Sequence, residues 1–96
     1  MASSTASITT ESASRYLQQL CKHWGHRFAV TFDPSKGSID FGSGQSVDLS
    51  ASDTALSVTV HDEKEAGLPE LEQVVADHLR RFAFRETLEF DWSRRG

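Results

Sequence analysis

The sequence predicts an α+β fold: an antiparallel sheet with two helices packed on one face, in the order β-α-β-β-β-β-α-β. Two segments carry apolar residues at spacings of three and four, the mark of a helix that buries one stripe. Between them the apolar residues fall at every second position, broken by short turn-forming stretches, as in strands joined by hairpins. Connections that short join antiparallel neighbours, because a parallel crossover needs roughly a dozen residues.

The opening strand rests on the briefest pattern, Ala6 and Ile8 alternating with Ser7 and Thr9. The first helix follows, its stripe running from Ala13 through Tyr16, Leu17, Leu20 and Cys21 to Trp24. Thr10 is placed to cap that helix, Glu11 suits its first turn and Gly25 is the expected left-handed stop. The period then changes to two. Phe28, Val30 and Phe32 make a strand, Asp33-Pro34-Ser35-Lys36-Gly37 a turn, and Ile39 with Phe41 the next strand. Gly42-Ser43-Gly44 turns the chain again, Val47 and Leu49 follow, and Leu56, Val58 and Val60 form the fourth strand of this meander after a turn over Ser50 to Asp53.

Thr31, Asp40, Asp48, Ser57, Thr59 and His61 fill the alternate positions, so one sheet face is wet and both helices share the other. His61 to Gly67 reads as a charged loop, and Pro69 fits the first turn of a second helix whose Glu70 and Glu72 suit its positive end. Leu71, Val74, Val75, Leu79, Phe82 and Ala83 form the inward stripe of that helix, with Arg80, Arg81 and Arg85 at its other end. Leu88, Phe90 and Trp92 alternate with Glu89 and Asp91 as a closing strand.

A chain of 96 residues has room for one domain, expected over 1–96 with residues 1–5 and 94–96 as disordered tails. Its 38% hydrophobic and 25% charged content is that of a folding chain. A net charge of −4 argues against nucleic acid as the partner. One cysteine excludes an internal disulfide and suits a reducing, cytoplasmic setting, while no apolar run reads as a signal peptide or membrane span.

His23 and His78 are the leading candidates for chemistry. Each lies at the edge of its helix's apolar stripe, so two helices on one sheet face bring the imidazoles within reach of each other. That arrangement suits a metal ion or a proton acceptor, with Cys21, His26 or Glu86 as possible contributors. It equally suits two half-buried histidines bonded to backbone and holding the helix seam. Cys21 and His23, two apart on a helix, point away from one another and cannot share an ion; Cys21 reads as a small core residue. Asp40 and Asp48 fall on the open face of neighbouring strands, where facing each other they suggest paired carboxylates, but solvated acids on a hydrated sheet face are ordinary. Arg80, Arg81 and Arg85 offer a patch for an anion or a partner, or the usual charge complement of a helix end. No nucleophile elbow, phosphate loop or dinucleotide fingerprint is present, so no catalytic residue is assigned and no cofactor is evident.

Two segments, Arg15-Tyr16-Leu17-Gln18-Gln19-Leu20-Cys21-Lys22-His23-Trp24 and His78-Leu79-Arg80-Arg81-Phe82-Ala83-Phe84-Arg85-Glu86, together with Trp92, resemble the signature segments of the bacterial family DUF2218. The likeness runs from about Thr9 to Ser93. The resemblance implies a small bacterial domain without assigned function, akin to domains found beside flavin-dependent siderophore-interacting reductases. It marks His23, His78, Arg81 and Glu86 as family positions, to which the arginine patch adds Arg85. The expected function is a non-enzymatic binding or accessory module linked to ferric-siderophore handling, with such a reductase or a small ligand as partner. The alternative is a small metal-binding protein or metal-assisted enzyme built on His23 and His78.

Overall fold

The computed structural model describes residues 2–95. Six antiparallel strands form one sheet: β1 Ala2–Thr9, β2 Ala29–Phe32, β3 Lys36–Gly42, β4 Gln45–Ala51, β5 Ala55–Asp62 and β6 Ser93–Arg95. Helix α1, Ala13–Trp24, follows β1, and helix α2, Leu68–Phe82, follows β5 after a 3-10 turn over Glu65–Gly67. The strand order is β2-β3-β4-β5-β1-β6, so the expected α+β class and element order are both present.

The meander is built by its turns. Asp33 accepts hydrogen bonds from the Ser35 and Lys36 amides at 2.8 Å each and closes the link from β2 to β3. Ser43 and Gly44 sit at φ 56° and 79°, the left-handed pair of a two-residue hairpin turn between β3 and β4. Alternation then sorts the side chains. Ile39, Val47, Leu49, Leu56, Val58 and Val60 are buried on one face, while Thr31, Asp40 and Asp48 are exposed on the other.

Both helices cover the buried face, α1 lying across β2, β3 and β4 while α2 covers β5 and β1. Leu17, Leu20 and Cys21 of α1 and Leu68, Val75 and Leu79 of α2 are fully buried against the sheet. Gly37 lets α1 sit close: a β-carbon there would fall 2.7 Å from the Cys21 Sγ.

Five expectations need correction. Residues 2–5 and 94–95 are not tails but parts of β1 and β6; Met1 and Gly96 lie outside the described residues. The inward positions of β1 are Ala2, Ser4, Ala6 and Ile8; the first three are small and fit beneath α2, which leaves the strand only a short apolar pattern at Ala6 and Ile8. The closing strand is Ser93–Arg95 rather than Leu88 to Trp92. Leu88, Phe90 and Trp92 do alternate, but Phe90 and Trp92 line a hollow with Ala76 and Arg80 on the flank of α2.

Gly25 has φ −62°, not left-handed, and the chain continues into a turn in which the Arg27 and Phe28 amides both donate to the Trp24 carbonyl. The Gly25 amide donates to the Cys21 carbonyl at 2.9 Å, so the helical hydrogen-bond pattern runs one residue past Trp24. Nor does Thr10 cap α1 directly: its hydroxyl accepts from the Ser12 amide one turn ahead of the helix. On α2, Val74 is 37% exposed and turned out of the stripe.

Candidate functional site

The last turn of α1, the turn that follows it, the end of β3 and the side of α2 that runs from Glu70 to His78 meet at one end of the helical layer. Trp24 closes the α1 stripe and is only 6% exposed. Its ring lies 4.9 Å from Phe41 edge-on, and Phe41 in turn meets Phe28 at 4.8 Å. On the α2 side the Trp24 ring lies 4.7 Å from His78. His23, one residue before Trp24 and exposed, lies 5.1 Å from His78 and edge-on to Phe82. Aromatic and imidazole rings in offset or tilted contact at these separations stabilise one another beyond simple burial.

These rings border a groove of about 540 Å³ whose lining includes His23, His26, Arg27, Phe41, Glu70 and His78. Its walls are largely π surface, with Arg27 and Glu70 supplying one charge of each sign. His78 is fixed in it by a hydrogen bond from Nδ1 to the Val74 carbonyl oxygen at 2.7 Å. A carbonyl only accepts, so Nδ1 carries the proton and Nε2 of the neutral ring holds the free lone pair.

The seam therefore joins His23 and His78 as the helix stripes indicated, and His26 lines the same groove. The other candidates lie elsewhere. Cys21 is buried against Gly37, where burial pushes its thiol up to about 11. Glu86 accepts from the Tyr16 and Thr10 hydroxyls. Burial first, and then the Glu86 carboxylate, raise the Tyr16 phenol above its ordinary value. Arg85 borders a smaller hollow of about 260 Å³ with Arg15, Tyr16 and the 81% exposed Phe84. Arg81 is exposed and lines neither hollow, and Arg80 stacks over Phe90 at 4.9 Å.

Asp40 and Asp48 do not face each other: Asp40 pairs across the sheet with Ser46, and Asp48 with Ser38 and Thr59. The Asp40 carboxylate instead accepts from the Gly42 amide, and Asp48 bonds His61 Nε2 at 2.9 Å. A concavity of about 530 Å³ spreads over this open sheet face among Thr31, Ser38, Asp48 and Thr59, where Phe32 is the one aromatic in its lining.

Sequence reading missed Phe28, Phe41 and Glu70 as lining residues. Phe28 and Phe41 were assigned to the core, and the available signal was positional: both end their strand patterns beside the turn that leaves α1. Among the described residues, no group of three or more His, Cys, Asp or Glu side chains gathers as a metal cage. None of the described helices is long and apolar enough to cross a membrane.

A family model described as an uncharacterized protein conserved in bacteria, DUF2218, matches residues 5–93. An NMR structure of PA4090 from Pseudomonas aeruginosa is similar over 97% of this chain and 96% of its own, with 43% identity and a TM-score of 0.82. No curated protein matches the chain.

Proposed function

The chain belongs to the DUF2218 family, and we propose that it is a binding module whose groove between α1 and α2 takes a small molecule with a planar aromatic or chelate face. The observation that carries this reading is the convergence of Trp24, Phe41, His23 and His78 on one open groove. Small-molecule sites are typically concave and largely apolar, with a few polar groups that fix orientation, and this groove has that composition. Its lining contains no serine, threonine, cysteine or lysine, which favours binding over covalent chemistry.

A ferric siderophore of the catecholate kind suits such walls: flat rings lie against Phe41 and the exposed His23, and its negative charge is met by Arg27. A siderophore-interacting reductase, in a cytoplasmic setting, is the partner that this reading supplies. Titrating the isotope-labelled chain with a ferric catecholate and with such a reductase tests it. The expected result is shift changes centred on the Trp24 indole, His23, His78 and Phe41. No perturbation by either would overturn the reading.

A further inference from the structure

The two imidazoles at the mouth of this groove are arranged for a more specific task. We propose that His23 and His78 form a two-point site for a divalent first-row transition ion such as Zn²⁺ or Ni²⁺, with the remaining coordination positions open to water or to a donor atom of a small molecule. The site occupies the groove assigned above to a small ligand and rests on that binding reading, while naming a ligand that needs no siderophore.

Three observations support it. The first is separation. Two imidazoles sharing one tetrahedral zinc at about 2.0–2.1 Å per nitrogen carry their ring centroids roughly 5 Å apart. The His23 and His78 centroids stand 5.1 Å apart, with ring planes inclined at 52°.

The second is the protonation of His78. Metal-bound histidines characteristically donate their other ring N–H to a carboxylate or backbone carbonyl, which fixes the tautomer and strengthens the ligating nitrogen. His78 already does this through Nδ1 to the Val74 carbonyl at 2.7 Å, leaving Nε2 as the donor atom.

The third is rigidity and surroundings. Both residues stand on regular helices whose opposite faces are fully buried, so the two backbone positions are held relative to each other. Trp24 and Phe82 pack against the His23 ring, and Trp24 against the His78 ring. His26 and the Glu70 carboxylate line the same groove. Imidazole donors suit zinc, nickel and copper better than magnesium or calcium, which select oxygen.

The test uses the full, untagged chain and the metal alone. Zn²⁺ or Ni²⁺ is titrated in competition with a chromophoric chelator, and the histidine side-chain nitrogens are followed by NMR with Zn²⁺. One ion per chain is expected, with the Nε2 signal of His78 and a ring nitrogen of His23 shifted, and His61 unmoved on the opposite sheet face. His23→Ala and His78→Ala should each weaken binding at least tenfold, with thermal melts verifying that each variant is folded. Should His78→Ala unfold, the ring-nitrogen shifts of the unaltered chain decide by themselves. Binding absent up to millimolar ion, or unchanged in His23→Ala, or seated on other histidines would overturn the site. Because no siderophore enters this test, such a failure would leave the small-ligand groove standing, and the siderophore titration would address that separately.

Discussion

At the scale of the residue, the contact between Cys21 and Gly37 shows how tightly α1 is seated on the sheet. Cys21 is fully buried and its thiol is pushed up to about 11 by burial, so the reactive thiolate is scarce at neutral pH and reagents cannot reach the sulfur. The folded chain should therefore react with a thiol reagent only as fast as it unfolds, a rate measurable by following the thiolate released from a disulfide reagent across a urea series. Gly37→Ala places a methyl group within 2.7 Å of that sulfur. Overpacking of this kind costs about 1–3 kcal/mol, to be read from urea denaturation. Adding Cys21→Ala should recover part of the loss, because the two positions share one contact. The approach of His23 to His78 was legible in the sequence because each residue's angle on its helix is fixed by its place in the stripe. The ring of Trp24 between His78 and Phe41 was not legible, since stripe position says that a side chain is inward without saying which neighbour it meets.

At the scale of the element, α2 is tied to the far edge of the sheet by an ion pair that spacing arguments did not disclose. Arg94 of β6 donates to both carboxylate oxygens of Glu72 at 3.1 Å. Glu72 was read as a favourable charge near the start of the helix, but it is 7% exposed and faces the sheet. Burial alone would push its carboxyl upward; the paired hydrogen bonds and the positive charge of Arg94 outweigh it and hold the group below the ordinary glutamate value. A depressed carboxyl stabilises the fold fully above the unfolded value of about 4.3 and loses that contribution as pH falls through the lower, folded value. Stability should thus decline on acidification below about pH 4.3, and Glu72→Gln should make that decline shallower while costing about 1–3 kcal/mol at pH 7. Chemical denaturation at several pH values checks both. Asp33 and Asp62, held low by backbone amides, contribute in the same direction and remain in the variant, so the difference between the two profiles isolates Glu72. The same pair explains why the closing strand was misplaced. Leu88, Phe90 and Trp92 have the alternation of a strand, yet the segment that pairs with β1 is polar Ser93–Arg95, its register secured beside Glu72.

At the scale of the whole molecule, the sheet has two unequal parts. The meander β2 to β5 is built from neighbours in sequence, and its apolar alternation made its buried face readable: Val58 is enclosed, and Thr31 is exposed. Strand β1 is different. It pairs with β5 from Ala2 opposite Asp62 to Thr9 opposite Ala55, and with β6 through Ser3 opposite Arg95. These contacts connect the two ends of the described chain, and β1 has no apolar pattern of its own beyond Ala6 and Ile8. Its place is set by what lies above it, since α2 rests on β1 and β5 together and small inward residues allow that approach. Ala6, 1% exposed beneath the helical layer, and Thr5, exposed on the open face, therefore test the architecture as neighbours with opposite surroundings. Ala6→Asp should bury an uncompensated charge and remove the cooperative thermal transition, whereas Thr5→Asp should shift stability by no more than about 1 kcal/mol, the loss of its hydroxyl contact with Thr59 included. Melting curves followed by circular dichroism distinguish the two. Equal effects at both positions would mean that β1 is not held between a helical layer and water, and the placement of α2, with His78 upon it, would lose its foundation.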